Sequence, residues 1–402
     1  MMISLFQFIT MAFPKAGALV SGVPITVSMI LLVLVLMRYF PYSFIAMNKI
    51  RGVLPVYSAF CVLVVLVIIL NLDGGEASKI PEAFVIMASP LAIGLGYKAK
   101  PHNAIKIIKV SLLIVGLYAV AQFNLGVVAT TVEGLNVSMG DSLTNKPIGY
   151  GLSDDYEASK MPTTYQNGNA AGLFYLLAIP VLISNKTYGI RQNIYKYTCI
   201  SIGIIGLLLS GSRSALFPCI MGIPFFWLYV KRKLSYSGQL QFIFWTFMFL
   251  SASFIYLSMF SSDLVAFLFD RYFTQTVNDP TGANRTTLFL ALFEIISNLD
   301  LLGQIRLLFF GLPWENLGYV EGVVYIYAFY GTIVFCLFLL LLFLPLCYAY
   351  KANKIISVGI TTVFIAFLID RSFCYPPSLI LYFFIVGLTI RVKQEASTYL
   401  EK

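Results

Sequence analysis

Five arginines, Arg213, Arg271, Arg285, Arg306 and Arg371, are the side chains of this sequence best suited to chemistry. A guanidinium stays charged at any working pH and presents paired N–H donors that match phosphate oxygens. Arg213 lies in Leu209–Ser210–Gly211–Ser212–Arg213–Ser214–Ala215, which reads as a tight turn between two apolar helices. Arg371 follows Asp370 in a similar turn, and Arg285 follows Gly282–Ala283–Asn284 at the head of an amphipathic segment. No acid stands close in sequence to Arg213 or Arg285, so these two read as anion-binding. Arg271 and Arg371 each follow an aspartate, Asp270 and Asp370, and for them and for Arg306 an ordinary ion pair is the competing reading.

Two acids near these arginines could act as a general base or orient a sugar hydroxyl. Glu321 starts an apolar helix, where a favourable charge at the helix N-terminus is the alternative; Asp370 ends another. Asn167 and Asn169 could cap the helix that follows them or bind sugar hydroxyls. Tyr150, Tyr156, Tyr165, Trp314 and Tyr319 could stack on sugar rings. Asp154, Asp155 and Glu157 read as a solvated loop surface, and the single histidine, His102, as a solvated loop residue among lysines. The six cysteines fall in or beside apolar segments without metal-ligand spacing and read as buried thiols. There is no zinc-spaced cluster, phosphate loop, dinucleotide fingerprint or nucleophile elbow. No metal and no cofactor are expected.

The elements that must position these residues are membrane helices. The chain has 402 residues, 59% hydrophobic and only 11% charged, against about 25% charged in a soluble domain. Its apolar residues lie in blocks long enough for spanning helices, which need about 20 residues each. The expected fold is all-α, a single polytopic transmembrane domain over 1–402 with about twelve spans. The expected spans are 1–14, 17–37, 52–72, 80–97, 106–125, 169–184, 195–210, 214–230, 239–260, 321–348, 355–369 and 374–390. With the N-terminus inside, alternate loops on the inner side hold 18 basic residues and two acids, Glu395 and Glu401, of the chain's 27 and 18. That asymmetry fits the positive-inside rule, puts both termini in the cytoplasm, and leaves no excess charge for a nucleic-acid partner. All five arginines then face outward, as do two long loops, 126–168 and 261–320. The second includes an amphipathic piece, Thr286–Ile296, suited to the membrane surface.

In order and placement, four segments resemble the O-antigen polymerase and O-antigen ligase group of bacterial envelope glycosyltransferases. They are Thr164–Tyr165–Gln166–Asn167–Gly168–Asn169–Ala170–Ala171–Gly172, the Ser-Arg turn at Leu209–Ala215, Asn284–Arg285 with its following segment, and Gly318–Tyr319–Val320–Glu321 leading into Tyr325–Gly331. The resemblance covers roughly 165–345. The ligases of that group typically carry a histidine near the last segment. Here Val320–Glu321 stands there and His102 lies on the other side, which favours the polymerase.

By resemblance, such an enzyme joins undecaprenyl diphosphate-linked oligosaccharide repeat units at the periplasmic face of the bacterial inner membrane, using neither nucleotide sugars nor ATP. Arg213 and Arg285 would stabilise the departing diphosphate and Glu321 would act as base. Arg271, Arg306, Arg371, Asp370, Asn167 and Asn169 would bind substrate. Membrane lipid is an expected partner, and a chain-length regulator protein of the same pathway is one the resemblance allows. The alternatives are an O-antigen ligase and, from another class, a flippase or transporter of lipid-linked oligosaccharide, although no internal repeat supports the latter.

Overall fold

The computed structural model of the chain describes residues 1–20, 23–71, 79–134, 147–149, 160–187, 189–220, 222, 262–279, 285–314, 317 and 320–400. A short helix, α1 (Met2–Ala12), leads to an antiparallel hairpin of β1 (Gly17–Val20) and β2 (Val23–Thr26), paired Gly17 to Thr26. The second span therefore begins at Val27, not at residue 17. Pro24 cannot donate within a helix, and Thr26 caps the helix that does form, accepting from the Met29 N–H at 3.2 Å. That helix is α2 (Val27–Asn48), followed by α3 (Val53–Asn71).

The span expected over 80–97 is broken. Its halves, α4 (Lys79–Ala88) and α5 (Ala92–Lys98), are joined by a 3-10 turn at Ser89–Leu91, where Pro90 lacks the N–H a continuous helix would use. Next come α6 (Pro101–Leu125), α7 (Gly168–Ser184), α8 (Ile190–Leu209) and a helix over 213–220, α9. The region 261–320 is largely helical where described. It contains α10 (Ser262–Phe269), which runs on through a π turn at Asp270–Thr274, α11 (Arg285–Ser297) and α12 (Leu301–Phe309). The span expected over 321–348 is also divided, into α13 (Val324–Tyr330) and α14 (Thr332–Ala352). At the break, Gly331 has φ +91°, and a Cβ there would lie 2.8 Å from Gly311 N. The last helices are α15 (Lys354–Ile369) and α16 (Pro376–Leu400).

Six helical segments among the described residues are long and apolar enough to cross a membrane: α2, α3, the broken α4–α5 pair, α6, α14 and α16. Helices α1, α7 and α15 are apolar but shorter. At about 1.5 Å per residue, α1 reaches only about half of a 30 Å hydrocarbon layer. The expected spans 239–260 and most of 214–230 lie outside the described residues.

Helix α16 is the centre of the bundle, with 83% of its apolar window buried, and α3 lies at the edge with 28% buried. The central crossing is glycine-lined. A Cβ on Gly387 would sit 1.9 Å from Ile93 O, and one on Gly96 would sit 1.9 Å from Phe384 O, so α5 and α16 touch backbone to backbone. The turns between the long helices fall at two ends of the bundle. One end carries Lys49, Arg51, Lys98, Lys100, Lys186, Lys351 and Lys354. The other carries Glu82, the segment 160–167, the Ser210–Arg213 turn, Glu321 and Asp370–Arg371.

Candidate functional site

A tight turn at this second end is made by the residues after α8. Gly211 takes φ +62°, which reverses the chain so that Arg213 opens α9. The first turn of α7 is pressed against this turn. A Cβ on Gly168 would lie 2.0 Å from Ser210 O, and one on Gly172 would lie 2.6 Å from the Ala215 Cβ. Small residues in the Asn-Gly-Asn-Ala-Ala-Gly run are thus what bring Asn167 and Asn169 to the arginine turn.

Asn167 caps α7, its Oδ1 accepting from the Ala170 N–H at 2.9 Å, and its Nδ2 lies 3.5 Å from the Tyr375 hydroxyl. Asn169 serves the site instead, donating through Nδ2 to Asp370 Oδ2 at 2.6 Å. Asp370 is buried between α15 and a 3-10 turn at Arg371–Cys374. It accepts from the Ser372 N–H at 2.9 Å and from the Ser372 hydroxyl. The same Oδ2 receives Arg285 Nη2 at 3.2 Å, and Arg285 Nε stands 3.9 Å from Glu321 Oε1. Glu321 Oε2 accepts the Arg371 backbone N–H at 3.2 Å. Arg285, Glu321, Asp370 and Asn169, drawn from four separate segments, therefore form one network.

Arg371 extends it. Its guanidinium donates to Glu82 Oε1 at 3.3 Å and lies 4.6 Å above the Tyr325 ring, while the Tyr325 hydroxyl donates to Glu82 Oε2 at 2.6 Å. On the other flank, Arg213 pairs with Asp279 at 3.2 Å and donates to Gln275 O at 3.3 Å. Arg271 is buried and fastened to the arginine turn, donating through Nε to Gly211 O at 2.8 Å and through Nη1 to Gln275 Oε1 at 2.5 Å.

Several expectations need correction. Arg213 and Arg285 do have acidic partners, distant in sequence. The adjacent pairs do not form: Asp370 takes Arg285, Arg371 takes Glu82, and Asp270 accepts from Gln275 Nε2 at 2.7 Å. Consecutive residues at a helix end point in different directions, so adjacency did not produce contact. Arg306 hydrogen-bonds Asn71 at 3.0 Å, at the end of α3, and makes no hydrogen bond to the network among the described residues. Tyr165 and Trp314 are buried with their donors committed, to Met11 O and Phe329 O at 2.9 Å each, and present no ring to a ligand. Tyr150, Tyr156, Tyr319, Asp154, Asp155, Glu157 and Gly282–Asn284 lie outside the described residues. His102 is exposed in the first turn of α6, at the lysine-rich end.

Two residues of this cluster do not stand out in the sequence. Glu82 was hidden inside an expected span. The available signal was a lone carboxylate in an apolar run, which is costly in a membrane unless partnered. Lys160 was hidden in a long loop. It heads a buried strap, 160–167, held by the Met161 N–H to Leu209 O at 3.2 Å and the Thr163 N–H to Gln122 Oε1 at 2.8 Å. Thr163 has φ +59°, a strained conformation for a β-branched residue, costing about 1–3 kcal/mol. Loss of water around the half-buried Lys160 pushes its pKa down to about 7. Arg271, Arg285 and Arg213 push in the same direction and Asp370 opposes them.

The arrangement suits an anion with several oxygens. An arginine has five N–H donors. Arg213 gives the protein contacts through Nη1 and Nη2. Arg285 contacts Asp370 through Nη2, and its buried Nε makes no hydrogen bond among the described residues. Carboxylates alternate with the cations and keep them in place. Among the described residues no three His, Cys, Asp or Glu side chains gather as a metal site. A scan against protein-family models returned no match, and no curated protein matched the chain.

Proposed function

We propose that the protein is a membrane glycosyltransferase of the O-antigen polymerase type. It would join undecaprenyl diphosphate-linked oligosaccharide units into polysaccharide at the periplasmic face of a bacterial inner membrane. In this reading the chain has about twelve spans and cytoplasmic termini, and the arginine end faces outward in keeping with the positive-inside rule. The observation that carries the reading is the convergence of Arg213, Arg271, Arg285, Lys160, Glu321, Asp370 and Asn169 at the end opposite the lysine-rich turns.

Negative charge develops on the diphosphate as the glycosidic bond breaks, and Arg213 and Arg285 stabilise it through N–H donors that make no hydrogen bond among the described residues. Glu321, less buried than Asp370 and beside Arg285, takes the proton of the attacking sugar hydroxyl. Asp370, tied to Asn169 and Ser372, holds Arg285 in place. Apolar residues exposed on α11 and α12, among them Leu290, Phe293, Leu301 and Leu302, suit contact with the lipid around such a site.

Deleting the protein from its host tests this reading. Lipopolysaccharide carrying core plus a single repeat unit is the expected result. Core alone, with long chains accumulating on the lipid carrier, would assign a ligase, and an unchanged ladder would overturn both. The interrupted helix α4–α5, with Glu82 paired to Arg371, favours one other reading, a flippase of the same lipid-linked unit. In that case the deletion strain would keep its repeat units on the cytoplasmic leaflet.

A further inference from the structure

Lys160 stands where the two flanks of the site meet. Its neighbour Met161 is tied to Leu209, next to the turn that carries Arg213 and receives Arg271. Its own Cβ lies 3.3 Å from where a Cβ on Gly168 would be, and one residue further Asn169 holds Asp370, the partner of Arg285. The strap behind it is buried and held in an unfavourable backbone conformation at Thr163, so the lysine is fixed in place and not carried on a free loop. The charged groups facing it among the described residues are Arg271, Arg285, Arg213 and Asp370, three cations and one anion.

We propose that Lys160 is a further cation of the diphosphate site and takes up a proton from solvent when the anion binds. The inference rests on the diphosphate reading above. The chemistry follows from the surroundings. In the absence of ligand, burial and, after it, the three guanidinium groups disfavour the Lys160 ammonium against the pull of Asp370, and with a pKa of about 7 a large share of Lys160 is neutral above neutrality. A bound diphosphate diester brings two negative charges that do not titrate near neutrality. It restores the ammonium, so binding consumes one proton and forms one new N–H donor to a phosphate oxygen. The sign follows: affinity falls as pH rises above about 7, by up to tenfold per pH unit, until the pKa of the bound state is reached.

The test is calorimetric titration of the full chain in lipid nanodiscs with farnesyl diphosphate-linked N-acetylglucosamine, at pH 6.5 to 8.5, in buffers of different ionisation enthalpy. Wild type should take up close to one proton per ligand at pH 8. Lys160→Met should bind at least tenfold more weakly at pH 6.5, with no uptake at pH 8. Lys160→Arg, which keeps the charge at every pH, should bind at pH 8.5 nearly as it does at 6.5 and take up no proton. Equal pH slopes and equal proton uptake in wild type and both variants would overturn the role of Lys160 while leaving the diphosphate site standing. No binding by wild type at any pH would overturn the site itself, and the Lys160 proposal with it.

Discussion

The two ends of the bundle use the same cations differently. At the lysine-rich end, Lys98 lies 4.2 Å over the Tyr42 ring, Lys49 5.0 Å over Tyr97, Lys393 5.3 Å over Tyr348 and Lys354 5.8 Å over Tyr350. The ion pair there, Arg391 with Glu395, is a local one within α16 and is well exposed. At the other end, arginines are half-buried or buried and held by carboxylates distant in sequence, up to 289 residues away for Arg371 and Glu82. Cations resting on aromatic faces near solvent are worth little to the fold and suit setting orientation in a membrane. Cations fixed by desolvated acids are costly to place and are retained where they do something.

Substitutions can break this contrast. The largest effect is expected for Arg285→Ala, which frees both Asp370 and Glu321. Polymer formation by the purified protein should fall about a thousandfold, equivalent to about 4 kcal/mol. Next, Glu82→Gln leaves Arg371 buried against Tyr325 without its carboxylate. Thermal unfolding in detergent should report a loss of about 3 kcal/mol, and a change under about 0.5 kcal/mol would place Glu82 outside the network's support. Arg213→Lys keeps the charge but loses the forked donors, so turnover should drop about 30-fold with unchanged stability; full activity would remove Arg213 from the diphosphate. Smallest, Lys98→Ala removes one cation from the opposite end. It should cost about 0.5 kcal/mol and leave turnover intact, and a large loss of activity would erase the distinction between the two ends.

The contrast also marks what was legible in the sequence. Long apolar runs gave α3, α7 and α15 to within one residue at each end, because membrane helices must satisfy their own backbone groups, whereas α6 and α8 begin earlier than expected, α14 begins later and α16 runs on further. The breaks at Ser89–Leu91 and Gly331 were not legible, since they depend on local proline chemistry and on the approach of Gly311. Arg213, Arg285, Glu321 and Asp370 could be picked by residue type and by position at helix ends. Their partners could not. Arg213 finds Asp279 and Arg371 finds Glu82 only after the bundle has closed. Lys160 gave no local signal, because its altered acidity comes first from burial in the folded bundle and then from three arginines in other segments.

The most direct measurement is reconstitution. Purified protein in proteoliposomes, supplied only with undecaprenyl diphosphate-linked repeat units, should yield a ladder of lipid-linked polymers and release undecaprenyl diphosphate, without nucleotide or metal. Arg285→Ala should leave the units unjoined. Polymer formed at the wild-type rate by Arg285→Ala, or unchanged monomeric units with active wild-type preparations, would contradict the account.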